Sequence, residues 1–266
     1  MGIGINSTMS SHIPASPYHF PSTLYIASPE ILTMASKPVA LILGSGPRVG
    51  ASVAAAFSSK GYNIATASRS GSNARTPEGY FSLSADFADP DSIPALFDSV
   101  KEAFGTAPSV VVYNAASLTP PPDNDSVLSI PKERVVTDLN INAVSPYVAA
   151  QKAVEGWATL SPDVRKTFIY TGNPLNTKIA PVPLFLNLGV GKSATAYWVG
   201  TADALYKEKG YRFFYADERA DEAGNGKGPN LDGPAHGEFY VQLAAHEGGV
   251  PWHATFVKGK GYVKTP

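Results

Sequence analysis

The chain has 266 residues, 44% of them hydrophobic, which is enough for one large domain with a substantial buried core. A formal net charge of -1 and a pI near 6.5 give no electrostatic case for nucleic acid or for an anionic membrane surface. The absence of cysteine excludes disulfides, a thiolate nucleophile and a Cys-based zinc site.

The first 36 residues contain no Lys or Arg and are rich in Ser and Pro. They lack the basic start and apolar block of a secretion signal and the arginines of a mitochondrial presequence, so a cytoplasmic protein is expected. Residues 1–36 read as a weakly ordered extension, and residues 37–266 as the folded domain. VALILG (39–44) is a continuous apolar run closed by glycine, the pattern of a strand buried on both faces. A helix follows and ends at Gly61, with strands expected over 62–68 and, more weakly, 80–86. DPDSIPALFDSVKEAFG opens on N-capping Asp residues and places Ile93, Leu96, Phe97, Val100 and Phe104 on one helical face.

SVVVYNAA (109–116) is another buried strand, and a long helical stretch runs from about 132 to 158. Further strands are expected over 167–172, 211–216 and 252–259, with helices over 192–209 and 238–245. Strands alternating with helices at this spacing predict an α/β fold, a single doubly wound Rossmann-type parallel sheet covered by helices on both faces. No apolar run approaches the ~20 residues that span a bilayer. The five histidines (His12, His19, His236, His246, His253) show no metal-ligating spacing, so no metal is expected.

Ligands of such a sheet bind at the carboxyl ends of its strands. The first strand runs into GSGPRVG (44–50) and then a helix. Gly44 permits a tight turn, Gly50 a close approach, and the helix N-terminus offers free N–H groups to a pyrophosphate. Ser45, Gly46, Arg48 and Val49 complete that loop. Arg69 follows Gly50 by 19 residues, where an acidic residue would select NAD and an arginine suits the 2′-phosphate of NADP. Arg48 can reinforce the same preference.

The order Gly44-x5-Gly50, Arg69, Asp86-Phe87 and Asn114-Ala115-Ala116 resembles the short-chain dehydrogenase/reductase family, over residues 38 to about 263. The resemblance implies an adenine contact at Asp86 and places Phe87, Asn114 and Ala115 among the cofactor-binding residues. Departures are Leu43 for the loop Thr, Arg48 for its middle Gly, and Tyr113 and Ala116 in the NNAG-like motif. Asn142 matches the family's helix asparagine. Lys192, a lone cation in FLNLGVGKSA (185–194), matches the lysine of YxxxK, which grips the nicotinamide ribose; a lysine snorkelling to the surface is the other reading. The family tyrosine is replaced by Leu188, and its serine by Gly172 with Thr171 and Asn173 beside it.

These residues predict an NADP(H)-dependent oxidoreductase acting on a small or medium apolar carbonyl- or imine-type substrate, with Asn142, Lys192 and Thr171 as its catalytic groups. Leucine cannot transfer a proton, so either the substrate arrives already cationic, as an iminium does, or another group donates: Tyr170, Tyr197, or a water held by Lys192 and Asn142. The alternative is an NADP-binding protein without redox chemistry. Phe185, Leu186, Leu188, Tyr197 and Trp198 suggest an apolar substrate side, and residues 216–238 a lid. The expected partners are a small-molecule substrate and, by the resemblance, other copies of the chain in a dimer or tetramer, with neither nucleic acid nor membrane.

Overall fold

The computed structural model describes residue 1 and residues 37–265, so the extension expected over 1–36 lies outside the described residues apart from its first. Among the described residues, nine strands form one sheet in the order β3-β4-β2-β1-β5-β6-β7-β8-β9. Its parallel strands are β1 (Val39–Leu43), β2 (Asn63–Ser68), β4 (Phe81–Ser84), β5 (Val110–Tyr113), β6 (Lys166–Thr171), β7 (Tyr211–Arg219) and β8 (His253–Val257). The chain winds outward in opposite directions from β1 and β5, so a crevice opens between their carboxyl ends. All five residues of β1 are fully buried, as a strand covered on both faces requires. Two antiparallel edge strands, β3 (Ala74–Arg75) and β9 (Gly261–Tyr262), were not expected. Each spans two residues and is too short to show a period-two pattern.

Helices α1 (Val49–Ser59) and α6 (Gly233–Ala244) pack together on one face of the sheet. The other face carries α2 (Ile93–Phe104), α4 (Ser145–Trp157) and α5 (Leu186–Tyr206), with α3 (Lys132–Leu139) against α5. On α2, Ile93, Leu96, Phe97 and Val100 are buried and Phe104 packs against the same core. No helix among the described residues is long and apolar enough to cross a membrane.

The helical stretch expected over 132–158 is present, with a π turn over Asn140–Val144 joining α3 to α4. Two other expectations change. β7 runs three residues beyond 216, and α6 begins at Gly233 rather than near 238, which narrows the loop expected over 216–238 to 220–232. Helix α5 begins at Leu186, so Lys192 sits well inside it and not at its start. Gly189 and Gly191 in the sequence looked like a helix boundary, but tertiary packing overrides their low helix propensity.

Gly191 has a specific reason to lack a side chain. A Cβ there would lie 2.4 Å from Asn142 Cβ, so the glycine lets α5 close directly onto the π turn. Gly191→Ala should therefore cost about 1–3 kcal/mol and lower the thermal midpoint. Gly189→Ala, where the nearest neighbour is Leu175 Cβ at 3.8 Å, should leave the midpoint unchanged or raise it. Equal midpoints for the two variants would remove the close-packing account.

Candidate active site

The glycine loop is bonded to its surroundings at both ends. Gly44 adopts φ +97°, and its N–H donates to Ala67 O at 2.9 Å. A Cβ on Gly44 would lie 2.4 Å from Ala115 N, and one on Gly50 2.6 Å from Gly44 O. These two glycines let β5 and α1 close onto the turn. The Asn114 amide donates to Gly44 O at 2.8 Å, so Asn114 shapes the loop. Ser45 Oγ reaches Ala67 O at 3.4 Å, and Val49 is buried in the core. Gly46 faces open space, with nothing within 4 Å of the place its Cβ would take. No side chain caps α1; the Ala51 and Ser52 amides donate to Gly46 O (3.0 Å) and Arg48 O (3.2 Å), which leaves Val49 and Gly50 as the helix-start amides open to an anion.

Around this loop, Arg69 is exposed just past the end of β2, with no ion pair or hydrogen bond among the described residues. The Asp86 carboxylate is exposed beyond β4 and accepts only from Ala88 N, at 3.0 Å. Phe87 is buried edge-on to Tyr113, so only its backbone could meet a ligand. Arg48 is exposed, and its guanidinium donates to Pro229 O, which fastens the 220–232 loop. Glu218, accepting from Asp232 N at 2.8 Å, ties the same loop at its far end.

The π turn explains Asn142. Pro146 has no N–H to give to the turn before it, which leaves carbonyls upstream without helical partners. Tyr113 donates its hydroxyl to Ile141 O at 2.7 Å. Asn142 O accepts from both Tyr170 (2.9 Å) and Thr195 (2.8 Å). The fully buried Asn142 side chain pairs with the Ser117 backbone in both directions, at 2.9 and 2.7 Å, and so pins the loop after β5.

Lys192 is buried, 4% exposed, and does not snorkel. Its Nζ donates to Thr171 O at 2.7 Å and lies 4.3 Å from the centroid of the Tyr170 ring. Burial pushes its pKa down to about 7, against the opposing charge of Asp217. Leu188, one turn earlier on the same face of α5, is also buried.

Of the side chains suggested as replacement donors, Tyr170 lies against Lys192 with its hydroxyl committed elsewhere, and Tyr197 lies apart. Tyr170 is fully buried, its hydroxyl committed to Asn142 O and its pKa pushed well up by burial. Tyr197 is 80% exposed on the outer side of α5. Thr171 meets Lys192 through its carbonyl only, because its hydroxyl lies on the opposite sheet face and accepts from Tyr240 at 2.9 Å. Alternation along β6 sends neighbouring side chains to opposite faces. The expected apolar cluster also divides: Tyr197 and Trp198 line a groove with Tyr147 on α4, away from Leu188.

The space of the missing serine is filled. A Cβ on Gly172 would lie 2.1 Å from the Tyr215 ring. The Tyr215 hydroxyl donates to Asn173 O (2.9 Å) and accepts from Asn173 N (3.1 Å), which fixes the ring in place. Beside it, Asp217, Glu218 and Arg219 are all buried at the end of β7. Sequence reasoning missed these four residues. A charged triplet after an aromatic strand reads as surface loop, and only the pairing of β7 with β8 through Arg219 reveals it as strand.

No family model matches the chain. A curated relative, "Short chain dehydrogenase/reductase dmxR12" of Cryptosporiopsis sp. (strain 8999), is 38% identical over 245 residues, covering 87% of this chain and 96% of the relative. This chain belongs to the short-chain dehydrogenase/reductase family. Solved structures with the same fold include a metagenomic short-chain oxidoreductase in complex with NADP, at 16% identity and TM-score 0.68 over 87% of this chain and 98% of that one. A short-chain dehydrogenase from Burkholderia cenocepacia J2315 in complex with NADP matches at 18% identity and TM-score 0.65, over 85% and 97%. In this short-chain dehydrogenase/reductase, Asn114 holds the glycine loop through Gly44 O and Thr171 O receives the Lys192 ammonium, with Leu188 one turn before the lysine and Gly172 just past β6.

Proposed function

We propose that the protein is an NADP(H)-dependent reductase of imine-type or small apolar carbonyl substrates, in which Lys192 takes the place of the missing phenol as proton source. The observation that carries this reading is the placement of Lys192, buried with its Nζ on Thr171 O and over the Tyr170 ring, one turn after a leucine that cannot donate; burial lowers its proton affinity toward neutrality. The chain's residues fit the cofactor. The open side of Gly46 and the uncapped α1 suit a pyrophosphate, exposed Asp86 an adenine, and exposed Arg69 a 2′-phosphate. Asn114 and Ala115 hold the loop closed at Gly44. When bound, NADPH supplies the hydride.

Lys192 holds a proton at Nζ that it can release near neutrality. Asn142 fixes the geometry around it by anchoring the Ser117 loop and receiving the Tyr170 hydroxyl that supports the ring beneath the ammonium. An imine nitrogen is basic enough to take a proton from such an ammonium before reduction. A ketone oxygen is far less basic and needs a donor aligned during the transfer. That difference favours the imine class. The exposed apolar groove of about 490 Å³ between α4 and α5, with Tyr147, Tyr197 and Leu205 at its rim, supports pairing of two copies through these helices.

Cofactor choice is tested by fluorescence titration with NADPH and NADH. Arg69→Ala should weaken NADPH binding about 10-fold or more and leave NADH nearly unchanged, the loss expected of one charge-assisted contact. Equal losses for both dinucleotides, or none for NADPH, would overturn the NADP assignment. Substrate class is tested by NADPH absorbance with a panel pairing cyclic imines with plain ketones. Turnover of imines well ahead of ketones supports the reading, and brisk turnover of plain ketones would mean that another group supplies the proton; NADPH binding with turnover of nothing favours a protein without redox chemistry.

A further inference from the structure

The end of β7 holds a carboxylate that the mechanism above does not use. Asp217 is fully buried. One of its oxygens, Oδ2, accepts from Arg219 Nε at 2.8 Å, while Oδ1 has no hydrogen-bond partner. Register places it close to the lysine: Thr171, whose carbonyl receives the Lys192 ammonium, pairs with Ala216, the residue before Asp217. The next residue after β6 is Gly172, which adds no side chain, and the Tyr215 ring packs over it beside the pair.

We propose that Asp217 is the positioning residue for the Lys192 proton: its buried charge keeps the ammonium protonated and favours its recharging after each transfer. The inference rests on the reading of Lys192 as the proton source. In the transfer, one N–H bond of the ammonium breaks and its electron pair stays on nitrogen. The proton goes to the substrate, and the neutral amine then takes a proton from solvent. Without a nearby negative charge, a lysine this deeply buried favours the neutral amine and has no proton to give.

The electrostatic surroundings agree. Burial raises the Asp217 pKa to about 6, with Arg219, Lys192 and Lys178 all pulling it down. Asp217 in turn is the group that raises Lys192. The other titratable groups around the pair are Tyr170 on β6, Tyr215 on the same strand, Tyr240 from α6 and His253 from β8. Burial holds all four neutral at pH 7, so they do not substitute for the carboxylate.

The test is an NMR pH titration of the full chain carrying isotope-labelled lysine, with the Lys192 signal assigned by its loss in Lys192→Met. Asp217→Asn should lower the proton affinity of Lys192 about tenfold or more, and Asp217→Glu should keep it near the starting value. If Asp217→Asn alone does not fold, the pair Asp217→Asn with Arg219→Gln removes both charges, and the same fall is expected. In the unaltered protein the Lys192 signal should respond in two steps, the lower one reporting Asp217. A Lys192 affinity within twofold of the starting value in either folded variant, or a single-step curve in the unaltered protein, would overturn the proposal. The titration needs neither NADPH nor substrate, so failure of the chain to bind NADPH would overturn the proposed function without touching this coupling.

Discussion

Lys192→Met should reduce NADPH-dependent turnover by about 10²–10⁴-fold, the range of a lost general acid, and should flatten the stability profile above neutrality. The sign follows from linkage. The folded pKa of Lys192, about 7, lies below its unfolded value of 10.5, so between these limits the unfolded chain carries a proton that the folded chain has released. Stability then rises with pH by up to about 1.4 kcal/mol per unit across this window and is withheld below it. The buried tyrosines act only at the top of the window: their raised folded values make the native state lose stability as the unfolded phenols ionise near pH 10. Urea midpoints at pH 7, 8 and 9 for both proteins check this. Parallel profiles would mean that Lys192 is not the titrating group, and a folded Lys192→Met with undiminished turnover would remove it from the chemistry.

The strands and most of the helices were legible because their burial is written as hydrophobic pattern. VALIL and VVVY are apolar throughout, and β1 and β5 are buried throughout. The glycine loop was legible because Gly44 and Gly50 each stand where a Cβ would strike backbone. What lay hidden depended on partners far away in sequence. The burial of Lys192 follows from Gly191 meeting Asn142, a contact across 49 positions that no local pattern records. Thr171 looked available beside the serine position, yet strand alternation turns its hydroxyl toward Tyr240. The Asp217–Arg219 pair was hidden for the opposite reason: charges in a row read as solvent-facing, and only mutual pairing lets them sit inside a sheet.

Leu188→Tyr should create carbonyl reductase activity, raising ketone turnover by about 10²-fold or more over the starting protein. Leu188 and Lys192 are four residues apart on one helix, so their side chains share a face and a phenol at 188 comes beside the ammonium. The neighbouring cation favours the phenolate and brings the phenol's pKa toward the working range. Two features limit the gain. Leu188 is 7% exposed, so the larger ring needs the chain around it to give, at about 1–3 kcal/mol of stability. The family's serine is also lacking, and it cannot simply be restored, since a Gly172 side chain would run into the Tyr215 ring at 2.1 Å. Adding Gly172→Ser to Leu188→Tyr should therefore lower the thermal midpoint without improving turnover, whereas Leu188→Tyr alone should show the gain in initial rates of NADPH oxidation with a plain cyclic ketone. A well-folded, NADPH-binding Leu188→Tyr that reduces ketones no faster than the starting protein would show that the phenol does not reach the reacting carbonyl. The substrate side of the crevice would then have diverged together with residue 188, in keeping with a site rebuilt around the Lys192 ammonium.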